Sequence, residues 1–168
     1  MQSRVITHQD LQEVCEAAQN LPRLRKNLNV HTTLDANVQR LFNAMEPGTY
    51  IRPHRHARSN GWELMLAVRG RFAILLFDGR GKVIERFELS PASGTVAVEI
   101  PAQAWHTVVS LEPGTVMFEI KEGPYTPVED KDFAVWAPEE AEATAKSFNA
   151  WFADAQPGEL PPESGPLA

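Results

Sequence analysis

The sequence predicts an all-β fold, an antiparallel barrel or sandwich with one short helix at each end. Three observations predict it. From Val38 to about Lys121 the chain is a series of about eight short β-type runs. Turn sequences such as Asp78-Gly79 and Pro113-Gly114 separate these runs, and their glycines accept the positive φ of a tight turn. The length of 168 residues is enough for one substantial core.

A capping box predicts the first helix. Thr7 is followed three residues later by Asp10, which can return a hydrogen bond to the helix start. Apolar residues then follow at helical spacing, namely Leu11, Val14, Cys15 and Ala18. We therefore expect an amphipathic helix over roughly residues 8–20. Pro22 ends it, and residues 23–37 are interpreted as an irregular connection.

The sequence after the β-rich region predicts a second helix. Pro138 suits the first turn of a helix, and Glu139 and Glu140 suit the positive end of its dipole. Four prolines after residue 155 predict a disordered tail. The expected organisation is an N-terminal helix and connection (1–37), a β-barrel with a closing segment (38–137), a C-terminal helix (138–155) and a tail (156–168).

Charge and composition exclude some functions. The net charge is −6, but residues 1–137 are nearly neutral, so a basic surface for nucleic acid is not expected. No apolar run reaches membrane-spanning length, and residues 1–4 lack the apolar core of a signal peptide. The single cysteine, Cys15, cannot form an internal disulfide. We expect a cytoplasmic protein that contacts neither nucleic acid nor membrane.

Three histidines and one carboxylate have the spacing of a metal site. His54 and His56 are two residues apart, so on a strand they project from the same face. Glu63 opens the next apolar strand, and His106 follows about fifty residues later. Imidazoles with a carboxylate suit Fe, Mn, Ni, Zn or Cu. The alternative is three hydrogen-bonded core histidines with a buried glutamate, but a buried carboxylate without a cation is costly.

These residues resemble the two motifs of the cupin superfamily. The first motif is matched by Gly48, His54, His56, Glu63 and Gly70, although six residues rather than three or four separate His56 from Glu63. The second is matched by Gly94, Pro101 and His106, whereas Gln103 replaces a glycine and Ser110 an asparagine. The resemblance covers roughly residues 38–121. It implies a jelly-roll-like cupin double-stranded β-helix barrel, with one divalent metal held by His54, His56, Glu63 and His106.

A longer resemblance is to the WbuC family of cupin-fold metalloproteins. It rests on Asn27-Leu-Asn-Val-His31, on residues 38–41, on Pro47-Gly-Thr-Tyr-Ile-Arg-Pro-His-Arg-His56, and on residues 121–127 and 131–138. Members of that family are found among bacterial O-antigen polysaccharide genes, although not only there, and no biochemical activity is assigned to the family. The resemblance therefore implies fold and metal rather than a reaction.

Five residues are candidates for binding a substrate. Arg52 and Tyr50 share strand parity with His54, so we expect Arg52 to bind an anionic group in the cavity or, alternatively, to pair with a glutamate at the rim. Glu119 and Lys121 form the polar face of the last barrel strand, which faces either the pocket or solvent. Tyr125 either closes over the mouth of the cavity or packs a bent segment.

Two classes of function remain open. The first is a small metal-dependent enzyme acting on a polar or anionic molecule, such as one derived from a carbohydrate, by isomerase, epimerase or lyase chemistry, or by Fe(II)-dependent oxygenation. The second is a metal-dependent domain that binds or senses such a molecule without converting it. A general base outside the ligand set is not identified, which argues against the enzyme, whereas an open coordination site lined by polar groups is what catalysis needs, so the enzyme is the first interpretation. Pairing of barrels through their sheet edges predicts a homodimer in either case.

Overall fold

The computed structural model describes residues 3–56, 58–92, 94–124 and 132–162. Over these residues the chain forms two helices and ten strands. The helices are α1 (His8–Gln19) and α2 (Ala145–Asp154). The strands are β1 (Arg25–Asn29), β2 (Val38–Met45), β3 (His54–Arg55), β4 (Glu63–Arg69), β5 (Phe72–Phe77), β6 (Val83–Leu89), β7 (Ala97–Ile100), β8 (Trp105–Ser110), β9 (Thr115–Glu122) and β10 (Asp132–Phe133).

The strands form two five-stranded antiparallel sheets. The first sheet has the order β1-β2-β9-β4-β7, and the second has the order β10-β3-β8-β5-β6. A shared apolar core joins them, because Met45, Met65 and Met117 of the first sheet pack with Ile74 and Val108 of the second. The predicted antiparallel barrel with a short helix near each end is thereby confirmed.

Strand β5 lies at the centre of the fold, and all six of its residues are buried. Its side chains alternate between two cores, as strand geometry requires. Phe72, Ile74 and Leu76 face the core between the sheets. Ala73, Leu75 and Phe77 face a second core, which α2 covers with Phe148 and Phe152. The C-terminal helix therefore closes the outer face of the second sheet.

Helix α1 covers the outer face of the first sheet. The capping box between Thr7 and Asp10 is formed in both directions, as predicted. Leu11, Cys15 and Ala18 are buried against Ala44 and Val116 of the sheet. Helix α1 does not cover the inner face of the first sheet, and this inner face lines a cavity. Neither helix of the described residues is long and apolar enough to cross a membrane.

The expectation of an irregular connection over residues 23–37 is wrong for residues 25–29. These residues form β1, which pairs antiparallel with β2 from Arg25 opposite Met45 to Asn29 opposite Leu41. The strand is mostly polar (Arg-Lys-Asn-Leu-Asn) and lies at the edge of the sheet. It therefore lacks the apolar alternation that identifies a strand in a sequence. Its conformation depends on hydrogen bonds to β2.

The C-terminal segment also differs from the expectation. Helix α2 begins at Ala145 rather than near Pro138, and the preceding residues form turns with hydrogen bonds from Glu142 N to Glu139 O and from Ala145 N to Glu142 O. These three-residue spacings are too short for an α-helix. Residues 156–162 were expected to be disordered, yet Val83 exchanges backbone hydrogen bonds with Gly158 and Glu159. Residues 163–168 lie outside the described residues.

Candidate metal centre and its cavity

The four predicted metal ligands come from both sheets and meet inside the barrel. His54 on β3 is the cross-strand partner of His106 on β8, and His56 follows directly after β3. Glu63 begins β4 of the first sheet. All four side chains are buried, and one ligand atom from each lies within 4.8 Å of the others. The structure therefore brings together the residues that the two motifs place far apart in the sequence.

Backbone carbonyl groups orient two of the imidazole rings. His54 Nδ1 lies 3.0 Å from Arg52 O, and His106 Nδ1 lies 2.9 Å from Ala104 O. A carbonyl oxygen only accepts hydrogen bonds, so in each neutral ring Nδ1 carries the proton. Nε2 is then the atom with the lone pair. Outer hydrogen bonds of this kind are typical of histidines that bind metals.

Glu63 lies between two histidines. Its Oε1 is 2.9 Å from His56 Nε2, and its Oε2 is 2.8 Å from His106 Nε2. The second contact lacks hydrogen-bond geometry, and among the described residues neither Oε2 nor His106 Nε2 has a hydrogen-bond partner. When His106 is neutral, two lone pairs face each other at that distance. A cation bound by both atoms would relieve this repulsion.

The electrostatics of the cluster also favour an ionised ligand. Burial raises the pKa of the Glu63 carboxyl, but the contacts with a protonated His106 and with His56 and the nearby charge of Lys121 outweigh burial. They hold the pKa of Glu63 well below its usual range. The cluster therefore fits a single divalent metal site with three imidazole nitrogens and one carboxylate. This donor set is compatible with Fe, Mn, Ni, Zn or Cu.

A cavity of about 440 Å³ adjoins the cluster and is large enough for a small organic molecule. His54 and Glu63 form part of its wall. The apolar part of the lining consists of Leu34, Leu41, Met45, Ile51, Met65, Val108 and Met117. The polar part consists of Arg23, Arg25, Lys26, Asn27, Asn29, His31, Gln39, Asn43, Glu119 and Lys121. Apolar walls with a few polar groups are typical of small-molecule sites.

Glu119 and Lys121 lie in this cavity rather than in solvent. Lys121 Nζ is 3.0 Å from Glu119 Oε1 and 3.4 Å from Glu63 Oε1. Asn43 Nδ2 donates to Glu119 Oε2 at 2.7 Å. The polar face of β9 therefore connects the candidate metal ligand Glu63 to the interior of the cavity. Of the alternatives that the sequence left open for this face, the structure favours the pocket.

Arg52 and Tyr50 do not line the cavity. Arg52 Nη2 donates to Ala134 O at 3.2 Å, and Nη1 lies 3.7 Å from the carboxylate of Glu139. This is the alternative arrangement, an arginine at the rim that pairs with a glutamate. The Tyr50 hydroxyl donates to Pro138 O at 2.9 Å.

The strand-parity argument fails for these two residues because residues 50–53 are not part of a strand. Ile51 lines the cavity together with His54, although the two would lie on opposite faces of a regular strand. Tyr125, the fifth candidate for substrate binding, lies outside the described residues.

The sequence did not identify several residues of the cavity. Asn27 and Asn29 lie on β1, which was interpreted as irregular, and Asn43 lies on β2. His31 follows β1 and is buried at the cavity wall. The only signal for His31 was its place in the WbuC-like block. Alternation along β2 would have grouped Leu41, Asn43 and Met45 on one face.

The loop of the second motif keeps its backbone conformation despite a substitution. Gln103 stands where the cupin motif has glycine, and its φ of 66° lies in the left-handed region that glycine favours. The Gln103 N–H donates to His56 O at 3.1 Å. This bond joins the loop before His106 to the loop after His56. The departure from the motif therefore does not displace the fourth ligand.

A family described as "Domain of unknown function (DUF6016)" matches residues 6–89, which is half of the chain. The chain therefore belongs to that family. No functionally curated protein matches the chain.

Several solved structures resemble the fold. CapF in complex with an inhibitor, 3-isopropenyl-tropolone, is 21% identical with a TM-score of 0.55, and the match covers 68% of this chain and 32% of that chain. Oxalate oxidase in complex with the substrate analogue glycolate is 14% identical with a TM-score of 0.52, covering 68% of this chain and 57% of that chain. Oxalate decarboxylase from Lactobacillus farciminis, in a formate complex, is 14% identical with a TM-score of 0.50, and the match covers 65% of this chain and 31% of that chain.

These similarities concern the fold alone. The chain spans about a third of the length of CapF and of the decarboxylase, and just over half that of the oxidase. They confirm the predicted cupin β-barrel.

Proposed function

We propose that this member of the DUF6016 family is a small metal-dependent enzyme that acts on a polar or anionic small molecule. The observation that supports this proposal most directly is the buried cluster of three histidines and Glu63 at the wall of a cavity of about 440 Å³. In this proposal His54, His56, Glu63 and His106 hold one divalent transition metal. The bound metal would polarise a substrate oxygen, lower the pKa of water or activate dioxygen.

The residues of the cavity bind and orient the substrate in this proposal. Lys121 supplies a positive charge close to the metal ligand Glu63, and Glu119 and Asn43 supply acceptors and donors for hydroxyl groups. Lys121 and Glu119 are also acid–base groups outside the ligand set. The sequence marked both as candidates for substrate binding, but it did not identify either as a general acid or base. Isomerase, epimerase or lyase chemistry is the first expectation, and Fe(II)-dependent oxygenation is the second.

A domain that binds or senses a molecule without converting it is the second candidate. One observation favours it: Lys121 and Asn43 already bind the Glu119 carboxylate. A carboxylate whose oxygen atoms are engaged in this way is less available to accept a proton from a substrate.

Metal content is the first test. Elemental analysis of protein purified without a histidine tag should find close to one metal ion per chain. The double variant His54→Ala/His56→Ala should lose it, whereas Arg52→Ala, which changes a residue outside the cavity, should keep it. If the wild-type protein holds no metal and takes none up on reconstitution, the histidines are structural and the proposed enzyme is wrong.

Catalysis is the second test. Metal-loaded protein is incubated with panels of nucleotide sugars and sugar acids while product formation and oxygen consumption are measured. Turnover that is lost in Glu63→Gln would support the enzyme. Tight binding without turnover or oxygen consumption across the panels would support the binding domain instead.

The finer assignments of the sequence belong to the same proposal. The blocks that resemble the WbuC family support a relationship to that family and a role in polysaccharide biosynthesis. The single cysteine supports a cytoplasmic location. Edge strands β1 and β7 of the first sheet support a homodimer. Light scattering at micromolar concentration should give the mass of two chains, and the mass of one would contradict the dimer.

A further inference from the structure

His31 lines the cavity and has a buried ring nitrogen that no group of the described residues satisfies. Its side chain is at the cavity wall and only 6% exposed. Among the described residues, His31 Nε2 has no hydrogen-bond partner. A buried polar atom without a partner costs free energy, so it calls for an explanation such as a bound ligand.

The backbone of Arg40 contacts the other ring nitrogen of His31. His31 Nδ1 lies 2.9 Å from Arg40 O and 3.1 Å from Arg40 N. Nδ1 therefore donates to the carbonyl oxygen in one tautomer and accepts from the amide in the other. In either tautomer Nδ1 holds the end of β1 against β2, and Nε2 is the ring nitrogen that is left for a ligand.

The position of His31 places its Nε2 atom far from the candidate metal. Gln39, Lys121 and Glu63 are cross-strand partners and form a row across β2, β9 and β4. His31 contacts Arg40, next to Gln39, and so lies at the β1 side of this row. Two strand spacings already separate the backbones of Gln39 and Glu63 by about 9–10 Å. A ligand that meets both the metal and His31 therefore needs oxygen atoms along an extended chain.

We infer that His31 Nε2 forms a hydrogen bond with the far hydroxyl group of an extended polyhydroxylated acid whose carboxylate end lies at the metal. A hydroxyl group both donates and accepts, so it matches either tautomer of the ring. This inference deepens the proposed function and rests on it. The cluster with a divalent metal carries one net positive charge, since Glu63 cancels one of the two charges of the metal, which favours a carboxylate there. Asn43, Glu119 and Asn29 line the same cavity, and amide and carboxylate groups match hydroxyl groups as donors and acceptors.

Two substitutions separate the structural and ligand-binding roles of the ring. The amide of His31→Asn occupies the place of Nδ1, so it can still form a hydrogen bond with the Arg40 backbone but leaves no polar group in the place of Nε2. The amide of His31→Gln occupies the place of Nε2, so it keeps a polar group for the ligand but loses the bond to Arg40. We expect His31→Asn to bind ligand poorly at near wild-type stability, and His31→Gln to bind better but unfold more easily.

The probes are D-gluconate, which carries a hydroxyl group on every carbon of its chain except the carboxylate carbon, and lactate, a hydroxy acid too short to reach His31. Binding to Zn²⁺-reconstituted protein is measured by calorimetry. We expect His31→Asn to weaken gluconate binding about tenfold, as for the loss of one hydrogen bond, and to leave lactate binding unchanged. Hexanoate, which has the same length without hydroxyl groups, should bind weakly to all three proteins.

Nitrogen NMR of the His31 ring gives a readout that does not depend on the metal. Gluconate should shift the Nε2 signal in wild-type protein, and lactate should not, with or without Zn²⁺. Equal gluconate affinity in wild type and His31→Asn, or no binding of gluconate by wild type, would overturn the inference. Loss of metal binding measured on the same samples would overturn the proposed function instead, and the two failures are therefore distinguishable.

Discussion

Lys121 and Glu63 are cross-strand partners on β9 and β4, and their Nζ and Oε1 atoms lie 3.4 Å apart. Lys121 Nζ also lies 3.0 Å from Glu119 Oε1, so one cation is shared by two buried carboxylates. This arrangement connects the candidate metal centre to the polar wall of the cavity. It also means that the charge of Lys121 stabilises the metal-free centre.

Substitution of Lys121 by methionine should destabilise the metal-free protein. Glu63 and Glu119 would remain buried without their shared cation, which costs roughly 3 kcal/mol. Urea denaturation of metal-free wild type and Lys121→Met measures the difference. The control is Lys82→Met at an exposed turn position, which should change the free energy of unfolding by less than about 0.5 kcal/mol. An equally small effect of Lys121→Met would show that solvent already screens these carboxylates.

Removal of the metal should lower thermal stability. A ligand that binds only the folded state stabilises it by about 2.7 kcal/mol at a concentration one hundred times its dissociation constant. Calorimetry before and after dialysis against a chelator should therefore show a lower Tm for the metal-free protein. In His54→Ala/His56→Ala the chelator should have no effect, and a shift of the same size there would place the metal elsewhere.

Gly70, the last glycine of the first motif, should not tolerate a side chain. Its φ is 69°, and an added Cβ would lie 2.9 Å from the Cα of Thr115. Left-handed strain and this backbone contact together should make Gly70→Ala destabilising by at least about 2 kcal/mol. Gly79→Ala is the matched control because nothing lies within 4 Å of its added Cβ. Similar denaturation midpoints for the two variants would contradict the backbone conformation at Gly70.

Arg86 should be required for docking of the C-terminal helix. Its guanidinium donates to Phe152 O at 2.9 Å and to Ala153 O at 2.7 Å, at the end of α2. Arg86→Met leaves these carbonyl groups without their charged donor and should cost about 2–3 kcal/mol of stability. Arg86→Lys keeps the charge and should cost less. Denaturation followed by tryptophan fluorescence, to which Trp151 on α2 contributes, measures both variants, and equal losses would indicate that packing alone matters.

Glu140 should make stability depend on pH. Partial burial raises the pKa of Glu140, but hydrogen bonds from Arg23 and Arg25 outweigh burial, so the pKa lies below its usual value in the folded state. A depressed pKa stabilises the fold above the unfolded pKa of about 4.5, and this contribution is lost as the pH falls through the folded pKa.

The wild type should therefore exceed Glu140→Gln in stability at pH 6, by less than about 1 kcal/mol because the pair is partly exposed. The difference should shrink below pH 4. Urea denaturation of both proteins across this range tests the prediction, and a difference that is constant with pH would assign the effect to packing.

Local chemistry explains why much of the fold was predictable. The capping box at Thr7, the turn at Asp78-Gly79 and the buried run of β5 act within a few residues of the chain. The metal cluster was predictable because His54, His56, Glu63 and His106 stand at motif positions, and the extra residues between His56 and Glu63 lie in the connecting loop. Strand β1 was missed because its residues are polar and only pairing with β2 makes it a strand.

The sequence by itself determined the antiparallel barrel and the identity of the four clustered side chains, because turn residues, strand alternation and motif spacing are properties of short segments. Only the tertiary structure decided which polar groups share the cavity with them. Arg52 turns to the rim, Lys121 lies between two carboxylates, and His31 faces inward. Each of these placements depends on contacts between residues that are distant in the chain, so no local sequence pattern predicts it.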